Sequence, residues 1–305
     1  MTECRFDDRV AVITGAGRGL GREYALLLAA RGARIVVNDN GSSLTGEGSD
    51  AGPAQAVVNE IRSAGGEAVA CTESVATPAG GKAIVEAALD SFGRIDVLIH
   101  SAGNSVFHPL ETITHEDFRK VIDIHLLGGF NVVQPAFPRM MQAGYGRVVL
   151  TGSIGGLYTM PSVAGYAVSK SAMIGLSNSV AIEGAARNIK SNIILPGAST
   201  RMSEGIDTSQ FPPMGPEKVA PVVGWLAHES CTISGEMLIS TAGRVARAFI
   251  TESQGVYDAD WTIDKVGGRI GAIRDPARQW TFHPLENGFG EHLAKSFAMV
   301  REGGG

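Results

Sequence analysis

The sequence predicts an α/β fold, a doubly wound parallel sheet with helices on both faces. Three observations carry this. Short β-branched runs alternate with longer helical stretches. A glycine cluster sits where the first run meets the first helix. No shift in composition between residues 10 and 240 marks a linker.

The predicted strands are Val10–Thr14, Arg34–Asn38, Ala68–Cys71, Ile95–His100, Arg147–Thr151 and Ser191–Leu195. Their near-continuous apolar character suits strands buried on both faces. Helices are predicted over 19–31, 52–64, 78–92, 116–142 and 163–187. Thr77-Pro78 supplies a cap and a first-turn proline for the third of these. Right-handed crossovers then wind the chain into a Rossmann-type sheet. The expected organisation is one domain over 6–240, with a C-terminal extension over 241–305 packed on it. A further helix is expected over 215–229. In the extension, 247–252 and 256–258 flank Ser253-Gln254-Gly255 as a hairpin would, and Trp261 and Trp280 lie beyond it. Asn40–Gly52 is a long polar loop, either solvated or in contact with a ligand. Residues 199–214 lack a period and hold two prolines, which reads as a mobile lid over a substrate or as a plain surface loop. The closing Gly303-Gly304-Gly305 is expected to be disordered.

Composition narrows the function. The chain has 305 residues, 44% hydrophobic and 19% charged, a soluble globular balance. A net charge of −5 without a long basic run argues against a nucleic-acid partner. Cys4, Cys71 and Cys231 are far apart and form no CxxC pair, so neither a disulfide framework nor a zinc site is expected. His108, His115 and His228 have no metal-ligand spacing, and no metal is expected. No apolar stretch approaches the roughly 18 residues of a membrane span. The first residues lack the shape of a signal peptide, and the expected location is cytoplasmic.

The glycine cluster, Gly15, Gly17, Gly19 and Gly21 with Arg18 and Leu20 among them, runs from strand to helix without a gap. Such a turn lets the backbone approach a pyrophosphate at a helix N-terminus. Asp39 ends the second strand 24 residues past Gly15. A carboxylate there accepts from the adenosine ribose hydroxyls and repels a 2′-phosphate, which favours NAD. Arg18 points the other way, since it could pair with that phosphate. Asn38-Asp39-Asn40-Gly41 is also good turn chemistry.

Tyr166 and Lys170 are four apart and share a helix face. An unperturbed phenol titrates near pH 10, and a nearby ammonium would lower that, making Tyr166 a usable general acid or base. Taken alone such a pair is an ordinary surface pair. Ser153 lies 13 residues earlier, just past a strand, at the sheet edge where ligands bind. Its hydroxyl could hold a substrate oxygen.

TGAGRGLG at 14–21, the Ser153-to-Tyr166 spacing, YAVSK at 166–170 and PG at 196–197 together resemble the short-chain dehydrogenase/reductase family, over about residues 6–240. The resemblance implies a hydride transfer between a nicotinamide and a secondary alcohol or ketone. It implies Ser153, Tyr166 and Lys170 as catalytic residues, with Lys170 also on the nicotinamide ribose. His125 stands where the family has a catalytic Asn whose backbone carbonyl holds a water beside the lysine. Pro196, Gly197 and Thr200 would lie near the nicotinamide, Ser74 and Val75 near the adenine, and Ser101, Ala102 and Gly103 along the cofactor. Where the family has Asn-Asn-Ala-Gly, this chain has His100-Ser101-Ala102-Gly103. The resemblance also implies a homo-oligomer, paired through the helices at 116–142 and 163–187.

VVNDN, HLLGGF, AIEG and HES followed by Cys231 are similar to one branch, the dehydrogenase unit of peroxisomal multifunctional enzymes and its bacterial relatives. That branch implies (3R)-3-hydroxyacyl-CoA as substrate. Acyl-CoA phosphates would call for cations near the cleft, with Arg201, Arg244 and Arg247 as candidates. The alternatives are a steroid or alicyclic alcohol dehydrogenase, an NADPH-dependent ketone reductase, which Asp39 disfavours, and a silent dinucleotide-binding sensor, which an intact Ser153, Tyr166 and Lys170 disfavours.

Overall fold

Val10–Thr14 forms β1, with all five residues buried. It pairs in parallel with β2 (Arg34–Asn38) on one side and β4 (Val97–His100) on the other. The structure, a computed structural model, describes residues 3–200 and 210–302. It separates into two compact units, Met1–Arg247 and Ala248–Gly305.

The first unit holds an eight-stranded sheet in the order β3-β2-β1-β4-β5-β6-β7-β8. Here β3 is Ala68–Cys71, β5 Gly146–Thr151, β6 Ile189–Gly197, β7 Met237–Thr241 and β8 Arg244–Ala248. The register places Thr14 opposite both Asn38 and His100, so the three line one carboxyl edge. The strand order reverses direction between β1 and β4, which opens the crevice where ligands of such sheets bind.

The helices begin close to where the sequence puts them. They are α1 (Gly19–Ala30), α2 (Gly52–Ser63) and α3 (Pro78–Phe92), the last capped by the Thr77 hydroxyl. Tyr24, Ala25 and Leu28 of α1 pack into one core with Ile13, Val37, Ile99 and Val223. The expected helix over 116–142 is interrupted. It is α4 (His115–Ile122), a π-helical turn (Asp123–Leu127) and α5 (Gly128–Ala143). A π turn widens the helix and carries an extra residue, a feature frequent at functional sites. Then follow α6 (Ile154–Leu157), α7 (Ala164–Gly184) and a 3₁₀ turn (Ala185–Arg187). The stretch expected as a helix over 215–229 is a 3₁₀ turn (Pro216–Lys218) and α8 (Ala220–Ala227).

Strands β7 and β8 are additions to the sequence reading. Their two-residue link, Ala242-Gly243, has positive φ at both positions, the backbone of a tight hairpin turn.

In the second unit the expected hairpin around Ser253-Gln254-Gly255 does not form. Thr251–Ser253 (β9) pairs antiparallel with Gln279–Thr281 (β10), and α9 (Ile263–Ile273) lies between them in sequence. Asp258 is instead held by Lys265 at 2.9 Å and Arg269 at 3.4 Å, which takes 256–258 away from strand pairing. Trp261 lies under the Arg269 guanidinium and Trp280 under Lys295. Helix α10 (Gly288–Arg301) closes the unit.

Residues 201–209, most of the segment expected as a lid, lie outside the described residues, as do Arg201 and the closing three glycines. Among the described residues no helix is long and apolar enough to cross a membrane, and no group of three or more His, Cys, Asp or Glu could hold a metal ion. The three cysteines are free.

Candidate active site

At the β1–α1 junction Gly15 has φ +64°, in the left-handed region. A Cβ there would stand 2.8 Å from the backbone nitrogen and Cα of Ala102. The loop is therefore folded against the end of β4 as closely as only glycine allows. Its backbone leads into the N-terminus of α1 at Gly19, where amide dipoles favour an anion.

Asp39 is pinned beside this loop. Its Oδ2 accepts from the Gly17 amide at 2.9 Å and its Oδ1 from the Gly41 amide at 2.7 Å. Each oxygen keeps a lone pair for a further donor.

A cleft of about 930 Å³, counting the open solvent at its mouth, runs along this edge. Of the residues expected at the cofactor, Gly15, Arg18, Gly19, Leu20, Gly21, Asp39, Ser74, Val75, Ser101, Ala102, Gly103 and Thr200 line it. Gly17 stands behind the lining, with its amide on Asp39. Pro196 and Gly197 end β6 opposite Ser240 and Thr241, outside the lining. Asn40, Ser42, Ser43 and Leu44, of the loop read as either solvated or in contact with a ligand, line the cleft, as do Glu73 and Ile124, which sequence reasoning did not single out. Loop 40–51 folds back across the site. Leu44 carbonyl accepts from the Ser105 amide at 2.8 Å, and Thr45 carbonyl from Asn104 Nδ2 at 3.4 Å. The glycines and serines of this loop signalled a turn, and only the register of the pairing shows that it turns inward.

Glycine backbone at a helix N-terminus, a pinned carboxylate and a cleft lined by both fit a dinucleotide. Gly15 is needed for the close approach of the loop to the Ala102 backbone, which shapes this end of the cleft.

Next to this edge Ser153 caps α6, its Oγ accepting from the Gly155 amide at 3.0 Å. Ser153 Oγ and the Tyr166 ring flank the same point, since a Cβ on Gly155 would meet them at 3.3 and 3.5 Å. Lys170 is buried on the same face of α7, its Nζ 5.7 Å from the Tyr166 ring centre and 2.7 Å from the Thr151 carbonyl to which it donates. Sequence spacing led to the expectation that Lys170 lowers the Tyr166 pKa. Burial dominates instead. It raises the Tyr166 pKa, opposed by the Ser153 hydroxyl, and brings Lys170 from 10.5 down to about 7. A lysine at about 7 exchanges protons near neutral pH, so the pair remains suited to moving one.

His125 lies in the π turn, fully buried, its ring edge-on to Tyr166 at 5.4 Å between centroids. Burial, and then the charge of Lys170, hold its pKa well below the ordinary value, so the imidazole is neutral. Its Nε2 stands within 3.0 Å of both the amide and the carbonyl of Asn104. The expected carbonyl of residue 125 is also in use: it accepts from His100 Nε2 at 3.2 Å. His125 Nδ1, Asn104 Oδ1 and Thr151 Oγ1 are buried polar atoms without a hydrogen-bond partner, on residues that touch Tyr166, His125 or Lys170. Leaving each so costs about 1–3 kcal/mol unless solvent or a ligand reaches it.

Of the cations expected for phosphates, Arg247 is paired with Glu236 at 3.0 Å, and Arg244 is exposed on β8.

Comparison with known proteins agrees with this geometry. The sequence model described as short chain dehydrogenase matches residues 9–210. The peroxisomal multifunctional enzyme type 2 of Drosophila melanogaster is 40% identical over 307 aligned positions, covering 99% of this chain and 51% of that protein. The chain thus spans about half the length of that relative. A short chain dehydrogenase from Mycobacterium avium superposes with TM-score 0.78 at 33% identity, covering 90% of this chain and 98% of the other. A 7α-hydroxysteroid dehydrogenase solved with NADH and 7-oxo glycochenodeoxycholic acid superposes with TM-score 0.71 at 28% identity, covering 78% of this chain and 95% of the other. The chain therefore belongs to the short-chain dehydrogenase family, and it is an oxidoreductase acting on CH–OH groups.

Proposed function

We propose that the protein oxidises the 3-hydroxyl of a (3R)-3-hydroxyacyl-CoA to the ketone, with NAD as oxidant. The observation that carries the chemistry is the grouping of Ser153 Oγ and the Tyr166 ring about Gly155, with buried Lys170 on the same face of α7, next to the cleft. Nicotinamide, when bound, supplies the hydride acceptor. The chain's residues do the rest. The glycine loop would hold the pyrophosphate, and Thr200, in the lining of the same cleft, would lie toward the nicotinamide. Ser153 donates to the substrate oxygen and fixes the carbon that loses hydride. Tyr166, once its phenolic proton has passed to neutral Lys170 or to solvent, would take the hydroxyl proton as general base, and Lys170 would carry that displaced proton.

Asp39 supports NAD over NADP. Its two oxygens are oriented by Gly17 and Gly41, ready for ribose hydroxyls and repellent to a 2′-phosphate. For the substrate, Phe107 stands edge-on to Tyr166 at 6.5 Å and is half exposed, as are Ile154 and Met160 nearby in sequence to the catalytic residues. An apolar rim of this kind suits an acyl chain. It also suits a steroid, and the hydroxysteroid dehydrogenase neighbour favours that as the second reading.

The test is kcat/KM with NAD and with NADP, for (3R)-hydroxyacyl-CoA thioesters of increasing length and for hydroxysteroids. Preference for NAD and for the thioesters supports the proposal. Turnover of steroids alone refutes the substrate.

A homo-oligomer and a cytoplasmic location belong to the same proposal. Exposed Phe130 on α5 and Val168 and Ile182 on α7 offer apolar surface for pairing. Sedimentation tests the first and cell fractionation the second, against the peroxisomal relative.

A further inference from the structure

His100 ends β4 with its ring wholly buried. Its Nδ1 is 2.9 Å from Thr14 Oγ1. That hydroxyl oxygen already accepts from the amides of Ser101 and Ala102, both at 3.2 Å. With both lone pairs engaged, the Thr14 hydroxyl has only its proton left, and it must donate it to Nδ1. Nδ1 is then unprotonated and the ring hydrogen sits on Nε2. Nε2–H donates to the His125 carbonyl at 3.2 Å, and the Ile124 carbonyl faces the same ring. Both carbonyls belong to or flank the π turn whose His125 ring packs on Tyr166.

The slot for this ring is built. A Cβ on Gly128 would meet His100 Cε1 at 3.4 Å, and one on Gly129 would meet Cδ2 at 3.3 Å. At Gly129 a side chain would press on the ring, while the bare position at Gly128 is required first by Val75, whose Cγ2 a Cβ would meet at 2.8 Å. Burial and the charge of Lys170 bring the His100 pKa to about 3, so the ring stays neutral in working solutions.

We propose that His100 is a positioning residue: a single-tautomer bridge from Thr14 at the glycine loop to the His125 carbonyl, which sets the π turn and with it the His125–Tyr166 packing. The bridge joins the cofactor edge, through the Ser101 and Ala102 amides, to the proton-transfer group. It acts through His125 and touches no reacting atom.

Two measurements test it. The first is nitrogen NMR of histidine-labelled protein, which needs no substrate. The resonance absent from His100→Gln should read as a neutral Nε2–H imidazole that does not titrate while the protein is folded. An Nδ1–H tautomer, or titration near neutral pH, overturns the bridge.

The second is steady-state kinetics, and it rests on the oxidation proposed above. His100→Leu should lower kcat tenfold or more while KM for the dinucleotide stays within about twofold. His100→Gln, which keeps an N–H donor, should recover most of kcat. Equal loss in the Leu and Gln variants, or an unchanged kcat in His100→Leu, means the ring only fills space. If His100→Leu does not fold, the tautomer and the Gln variant still decide. If wild type turns over none of the substrates, the substrate proposal fails while the NMR result stands.

Discussion

Replacing Lys170 with Met should abolish turnover and yet stabilise the protein near neutral pH. Lys170 is buried, and its pKa falls from 10.5 to about 7 because burial disfavours the ammonium. At about 1.4 kcal/mol per tenfold change in proton affinity, that drop costs roughly 4–5 kcal/mol of folding free energy below pH 7. Between roughly pH 7 and 10.5 the unfolded lysine binds a proton that the folded one does not, so wild-type stability rises with pH across that window. The rise from pH 7 to pH 9 attributable to this side chain is roughly 2 kcal/mol. Met keeps the length of the stem and does not titrate. It leaves the Thr151 carbonyl without its donor, a loss of about 1–3 kcal/mol. The net at pH 7 is a gain of roughly 1–3 kcal/mol for the variant, shrinking toward zero or reversing at pH 9. Urea unfolding of both proteins at the two pH values measures it, since the other titrating groups are common to both. Parallel stability curves, or a variant less stable than wild type at pH 7, would refute the reasoning.

The remaining predictions concern the cofactor edge. Asp39→Ala removes the carboxylate beside the glycine loop and should shift the NAD-to-NADP ratio of kcat/KM toward NADP by roughly 10–100-fold, the size of a charged hydrogen bond. An unchanged ratio would assign the preference elsewhere, with Arg18 the first residue to examine. Gly15→Ala meets both a positive φ and the Ala102 backbone at 2.8 Å. It should lower stability by about 1–3 kcal/mol and weaken dinucleotide binding, read by thermal melts with and without NAD. A melt identical to wild type with full cofactor protection would mean that the loop is not so tightly folded.

How much of this was legible in the sequence depends on the range of the interactions. Val10–Thr14 and Arg34–Asn38 are apolar runs between turn residues, and their bounds agree with the structure. The glycine loop, Asp39 and the Tyr166–Lys170 spacing are local patterns, and the structure brings them to one edge. The π turn left no local signal. The stretch 116–142 reads as one helix, and the wider turn at 123–127 meets His100 and Asn104, over twenty residues distant in sequence. The pairing of β9 with β10 was hidden for the same reason. Ser253-Gln254-Gly255 has good turn chemistry, while the true partner strand lies beyond a whole helix. The pKa of Lys170 could not be read either, because burial depends on everything packed around α7 and not on a four-residue spacing.

The most direct test of the account is hydride transfer in a single turnover, with NAD and a (3R)-3-hydroxyacyl-CoA carrying deuterium at C3. Wild type should form reduced nicotinamide with a primary isotope effect. Tyr166→Phe should bind the dinucleotide equally well and form it at least about a hundredfold more slowly, the contribution of a positioned general base. Wild-type turnover that survives in Tyr166→Phe would contradict the assignment of the proton-transfer group at the centre of the account.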